Sequence, residues 1–147
     1  MSDQNKALSR RSFEEIWNQG NLAVINELVA PNATFHDPSV PGGKFIGPEG
    51  LTQFVQIYRG AFPDVQITVN DQVAEGDKVV TRWTATGTHR GQLMGIAPTG
   101  KHATVTGVDI DRYEAGKVVE AWASYDMHGM LEQLGVVPSL APAGASA

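Results

Sequence analysis

Apolar residues recur at helical spacing through the first third of the chain. Phe13, Ile16 and Trp17 make an i, i+3, i+4 stripe with charged residues opposite, which predicts a helix over 5–19. Leu22, Ile25, Leu28 and Val29 repeat the spacing after Gly20, and Pro31 closes this second helix. Thr34 to Asp37 is a short extended piece, because Pro38 disfavours helix just before it. Residues 38–47 read as loop. Pro48 suits the first turn of a third helix, in which Leu51, Phe54, Val55 and Tyr58 fall on one face.

After Pro63 the period changes from 3.6 to 2. Val65, Ile67 and Val69 alternate with Gln66, Thr68 and Asn70. Further strands are predicted over 78–89, 102–113 and 118–125. Glu75-Gly76-Asp77 and Glu114-Ala115-Gly116 supply the turns between them. Met127 to Leu134 reads as a short closing helix. Helices followed by meandering strands indicate an α+β fold, with N-terminal helices packed on a curved antiparallel sheet. Residues 1–137 are expected to form one domain and 138–147, rich in Pro and small residues, a flexible tail.

Alternation sorts the strand residues by face. Thr81, Trp83, Ala85, Gly87 and His89 share one, as do Val105, Gly107, Asp109, Asp111 and Tyr113. Val118, Glu120, Trp122, Ser124 and Asp126 are expected to share a third. Faces that mix Trp, small residues and acids are poor plain core but suit a pocket wall. Asp126, at the end of the last strand, is the candidate acid–base group, because desolvation there would disfavour its ionised form. The competing reading makes Asp126 the N-cap of the closing helix. His89 is the candidate hydrogen-bond donor to a ligand oxygen. His36 and Asp37 are neighbours on a strand, so at most one faces a pocket. Glu120 is expected to pair with a strand neighbour such as Arg82 or Arg112. Leu93, Met94, Ile96 and Pro98 form an apolar loop that suits a pocket lid or a dimer contact.

Composition narrows the classes. The chain has 147 residues, net charge −5 and 41% hydrophobic residues, enough for one self-sufficient core. With no basic stripe, nucleic acid and anionic membrane surfaces are not expected partners. No cysteine removes disulfides and thiolate chemistry, and no short-spaced His and acid set points to a metal. No apolar run reaches the ~20 residues of a membrane span, and the N-terminus is polar, which predicts a cytoplasmic protein.

The chain resembles the SnoaL-like polyketide cyclases, within the group sharing the nuclear-transport-factor-2 fold. The carriers are Trp17-Asn18-Gln19-Gly20-Asn21, Phe35-His36-Asp37-Pro38, Gly47-Pro48-Glu49-Gly50, Gly87-Thr88-His89-Arg90-Gly91 and the loop 95–101. Gly116-Lys117-Val118-Val119-Glu120 follows, with Trp122, Asp126 and Gln133-Leu134-Gly135. The likeness spans about 5–137. It implies a cone-shaped α+β barrel with a deep pocket and no cofactor. It also implies an acidic residue on a late strand as acid–base catalyst for an aldol ring closure. Asp126 looks like that residue, His89 and His36 like polar pocket positions, and Trp122 like pocket wall. Trp83, read from the alternation of the second predicted strand, is a further candidate for substrate binding. The expected ligand is an apolar or aromatic carbonyl compound, and the expected assembly a homodimer or larger. Two other readings stand. One is a ketosteroid-isomerase-like enzyme with Tyr58 and Asp109 as donors to a developing oxyanion. The other is a non-catalytic ligand-binding or assembly domain.

Overall fold

The computed structural model describes residues 2–139; the expected tail therefore lies, from residue 140, outside the described residues. Helix α1 (Ser2–Arg11) runs into a π-helical segment, Ser12–Asn18, where a single α-helix was expected. Helix α2 (Ala23–Leu28) and strand β1 (Val29–His36) follow. The expected loop holds a 3-10 turn (Pro41–Gly43) and a short strand, β2 (Lys44–Ile46). Helix α3 (Gly47–Ala61) starts with Pro48 in its first turn, as the sequence predicts. Strands β3 (Gln66–Glu75), β4 (Lys78–Thr88), β5 (His102–Glu114) and β6 (Lys117–Tyr125) lead to helix α4 (Met127–Gln133).

Among the described residues six strands form one curved sheet in the order β2-β1-β6-β5-β4-β3, so β2 and β3 are edges and the sheet does not close. It is mixed rather than wholly antiparallel, because β1 runs parallel to β6. Bulges shape the curve. One places Asn70 as the extra residue of β3, between the pairs Val69↔Trp83 and Asp71↔Arg82. Another places Val119 as the extra residue of β6, between Glu120↔Arg112 and Val118↔Tyr113.

The helices pack into the concave face. Ile16, Ile25, Val55 and Val79 have no exposed surface, and Leu28 is also buried. Trp17 and Phe54 are only partly buried, because they border a cavity. The helical layer is clamped to the sheet by Asn18, whose amide donates to Ile67 O (2.9 Å) and whose Oδ1 accepts from Ile67 N (2.6 Å). Arg59 of α3 donates to the Trp17 and Asn18 carbonyls, satisfying groups left open at the helix end. No helix among the described residues is long and apolar enough to cross a membrane. Truncating the centre of this layer, Ile25→Ala, should cost about 2–5 kcal/mol in urea unfolding, since the side chain is fully enclosed.

Candidate active site

The cavity between helices and sheet has two lobes, about 110 Å³ and 80 Å³. The outer lobe is walled by Phe54, Tyr58, Phe62, Trp83, Val105 and Tyr125, with Ala85, Gly87, Ala103 and Ala123 leaving room. The inner lobe adds Phe35, Asp37, Phe45, Asp111 and Tyr113. Trp17, Phe54, Asp109 and Ala123 border both. A ligand reaching from one lobe into the other would therefore pass Asp109.

The expected faces of β4 and β5 hold. Val79, Thr81, Trp83, Gly87 and His89 are buried on one side of β4 and its extension, and Val105, Gly107 and Tyr113 on one side of β5. Asp109 and Asp111 sit on that same inner face. Asp109 Oδ1 accepts from Trp83 Nε1 at 3.0 Å. Burial, then the neighbouring charge of Asp111, pushes the Asp109 carboxyl well above the ordinary carboxylate range. Burial likewise raises Asp111, against a hydrogen bond from Ser9 Oγ at 3.2 Å. Trp83 comes so near β5 because residue 107 is Gly: a Cβ there would lie 2.3 Å from the indole.

Three further polar groups form a chain. Tyr125 donates to Asp37 Oδ2 at 3.0 Å, and Tyr58 Oη lies 3.1 Å from Tyr125 Oη. With the Tyr125 proton committed to Asp37, Tyr58 is the donor of the second bond. Asp37 is 2% exposed and also accepts from Ser39 N at 2.8 Å. Burial pushes Tyr58 up to about 12 and raises Tyr125 as well, so both remain hydroxyl donors near neutrality.

The face expected for β6 is corrected beyond Val118. The bulge at Val119 reverses the alternation, so Ala121, Ala123 and Tyr125 face the cavity side while Glu120, Trp122 and Ser124 turn to the sheet's outer face. Trp122 stacks on His36, centroids 5.4 Å apart, and His36 Nε2 meets Glu120 at 2.8 Å. Both rings touch only the border of the inner lobe. Glu120 also pairs with Arg112 at 3.3 Å, the pairing the sequence favoured. Of the two neighbours at the end of β1, Asp37 is the one that enters.

Asp126 is exposed and borders neither lobe. Its Oδ1 accepts from Gly129 N at 2.9 Å, which makes it the N-cap of α4. The placement expected for it beside a cavity-facing Trp122 is therefore corrected, and the reversal at Val119 is the reason. Asp126→Ala should cost about 1 kcal/mol of stability as a lost cap, read by thermal unfolding.

His89 is fully buried but does not border the cavity. Its ring packs on Phe62, 5.4 Å between centroids. Nδ1 accepts from Thr99 N at 3.2 Å, so the ring proton of a neutral His89 is on Nε2. The backbone bonds His89 N to Lys101 O and Gly100 N to His89 O complete a clasp on the loop 90–100. Within that loop Leu93 is buried in the core and Met94 stands half exposed. Among the described residues no group of three or more His, Cys, Asp or Glu side chains is placed to hold a metal ion.

Tyr125, Asp37 and Asp111 are the site residues that sequence reasoning did not assign. The Ala121-Ala123-Tyr125 alternation carries the same signature of small residues with one large ring that marked β4, and the Val118-Val119 doublet marks where the bulge falls.

The family model for SnoaL-like polyketide cyclase matches residues 7–134. No curated protein matches the sequence significantly. Among solved structures, the chain is similar to IdmH of Streptomyces antibioticus, described as a candidate polyketide cyclase. The identity is 36%, over 90% of this chain and 99% of that one, with a TM-score of 0.79. It is also similar to AclR of Streptomyces galilaeus, described as a candidate hydroxylase. There the identity is 30%, over 96% and 87% of the two chains, with a TM-score of 0.82. A protein of Catenulispora acidiphila with a ketosteroid isomerase-like fold shares the fold at 16% identity. The match covers 92% of this chain and 97% of that one, with a TM-score of 0.75. A curved sheet folded round a helical layer, an enclosed aromatic cavity and a match over most of its length lead to one assignment: the chain belongs to the SnoaL-like polyketide cyclase family.

Proposed function

We propose that the protein is a cytoplasmic, cofactor-independent cyclase or isomerase for an apolar, aromatic, polyketide-like carbonyl compound. The observation that carries this reading is Asp109: a carboxyl on an aromatic cavity wall, raised by burial and reachable from both lobes. A carboxyl tuned toward neutrality suits proton transfer at a carbon beside a carbonyl. Tyr58 and Tyr125 offer hydroxyls on the same wall, and a ligand oxygen would compete for the Tyr58 proton. Aromatic walls bind rings and exclude water, which sharpens both interactions.

The test compares two acids. The probe is the tightest binder of a panel of aryl ketones, chosen by quenching of Trp17 and Trp83 fluorescence. Deuterium uptake beside its carbonyl is then followed in heavy water. Asp109→Asn is expected to slow uptake by about 10²–10⁴-fold with little change in affinity, as for loss of one general acid–base group. Asp126→Asn is expected to match the wild type. A binding domain without catalysis would show affinity but no uptake. A fast Asp109→Asn paired with a slow Asp126→Asn would reverse the assignment.

Association is part of the same proposal. The outer sheet face presents Val108, 38% exposed, beside Ile110 and Trp122 in cross-strand register. An apolar strip there suits a homodimer. Light scattering at tens of micromolar protein is expected to give twice the chain mass or more; the monomer mass alone would contradict it.

A further inference from the structure

The proton-transfer reading leaves a second cavity-lining carboxyl of β5 without a role. Asp111 follows Asp109 by two residues on β5, so both side chains leave the same face, about 6.5–7 Å apart along the strand. Asp109 borders both lobes and Asp111 the inner one. A molecule filling the inner lobe would meet both.

Their surroundings differ in kind. Asp109 is bonded through one oxygen to Trp83 and is otherwise set among Phe54, Trp17 and Ala123. Asp111 is bonded by Ser9 Oγ, which lies 3.3 Å from Thr81 Oγ1; Gln72 Nε2 donates to that same hydroxyl at 3.3 Å. Asp111 thus ends a run of polar groups leading to the half-buried Gln72, and that run favours its charge. Among the described residues no lysine or arginine borders either lobe. The titratable groups facing the pair are Asp37 after β1, Tyr58 of α3, Tyr113 of β5 and Tyr125 of β6. His36 stands at the border, committed to Glu120. Two negative charges here would repel without a counter-ion, so the pair retains one proton. Burial raises both carboxyls, consistent with that count.

We propose that Asp109 and Asp111 act on one substrate as an acid–base pair, Asp111 as the ionised base and Asp109 as the protonated acid. This rests on the proton-transfer reading of the cavity and divides its labour. Asp111 takes a proton from carbon beside a carbonyl; the C–H electron pair forms the C=C bond of an enol, whose oxygen takes the proton of Asp109. For ring closure, the enol carbon bonds to a second carbonyl carbon of the same molecule. The enol oxygen returns its proton to Asp109 and becomes a carbonyl again. The second carbonyl's oxygen takes the proton held by Asp111. No atom is gained or lost, and both carboxyls end as they began.

The same deuterium-uptake measurement, run across pH, separates the roles. Wild type is expected to rise with pH as the base ionises and to fall as the acid is lost. Asp111→Asn should lower the maximum by about 10²–10⁴-fold and abolish the acidic limb. Asp109→Asn should abolish the alkaline limb. Ser9→Ala, which removes the donor to Asp111 while keeping its carboxyl, should move the acidic limb to higher pH. An Asp111→Asn variant with wild-type rate and both limbs, or an unmoved limb in Ser9→Ala, overturns the pair and leaves Asp109 acting alone. Wild-type rate in Asp109→Asn, or no uptake by wild type with the ketone bound, overturns the proton-transfer reading itself.

Discussion

Gly107→Ala is expected to cripple this protein, although it adds one methyl group. The new Cβ would lie 2.3 Å from Cζ2 and 2.7 Å from Cε2 and Cη2 of Trp83. These are atoms of a rigid ring, so the indole must leave its place. Moving it breaks the bond from Nε1 to Asp109 and carries the ring into the cavity it now borders. Overpacking of this kind costs about 1–3 kcal/mol, and the site loses its shape as well. Urea unfolding should show the lower stability, tryptophan fluorescence the displaced indole, and ketone binding a large loss of affinity. Gly60→Ala on α3 is the matched control. A Cβ there meets nothing within 4 Å, so the change should be neutral or stabilise by up to about 1 kcal/mol. Equal behaviour of the two variants would remove the close approach of Trp83 to Gly107 from the account.

Stability should fall as pH rises from the weakly acidic range. Asp109 and Asp111 have folded-state pKa values raised, chiefly by burial, above the ~4 of an unfolded aspartate. Below that value both states are protonated, and the contribution to stability is fully present. Above it the unfolded chain releases protons that the folded chain still holds, so unfolding is increasingly favoured until the folded carboxyls ionise. Each proton that the folded pair retains and the unfolded chain releases removes on the order of 1 kcal/mol per pH unit of that window. Glu15, Glu27 and Glu120, lowered mainly by hydrogen bonds to Arg11 or His36, act in the opposite sense and lose their contribution under acid. The expected profile therefore peaks in weak acid. Asp109→Asn and Asp111→Asn should each flatten its descent toward neutral pH, read from urea midpoints at fixed ionic strength. A descent that both variants retain in full would contradict the raised folded-state pKa of these carboxyls.

The layers of the fold were legible because local pattern and burial agree in them. Leu51, Phe54, Val55 and Tyr58 state the inner face of α3, and β4 and β5 pair in unbroken register past Asp109 and Asp111. The site was legible only as far as that alternation ran unbroken. A single extra residue, Val119, reversed β6, moved Trp122 outward and brought Tyr125 inward; alternation alone has no term for a bulge. Asp126 then reached the surface, where its ordinary preference for capping a helix is satisfied by Gly129. The choice between His36 and Asp37 depended on the parallel pairing of β1 with β6, a contact between distant segments that no local spacing records. His89 kept its expected face, yet its Nδ1 is committed to Thr99 across a ten-residue loop.

On the proposed function the cavity holds a neutral carboxylic acid, Asp109, at working pH. Infrared spectroscopy of protein carrying 13C-labelled aspartate carboxyls tests it most directly, because protonated and ionised carboxyls absorb at different frequencies. At pH 7 the wild type is expected to show one protonated aspartate band. That band should persist in Asp126→Asn, vanish in Asp109→Asn, and shift when an aryl ketone binds. A wild-type spectrum containing only ionised aspartates at pH 7, or a protonated band that survives Asp109→Asn unchanged, would contradict it.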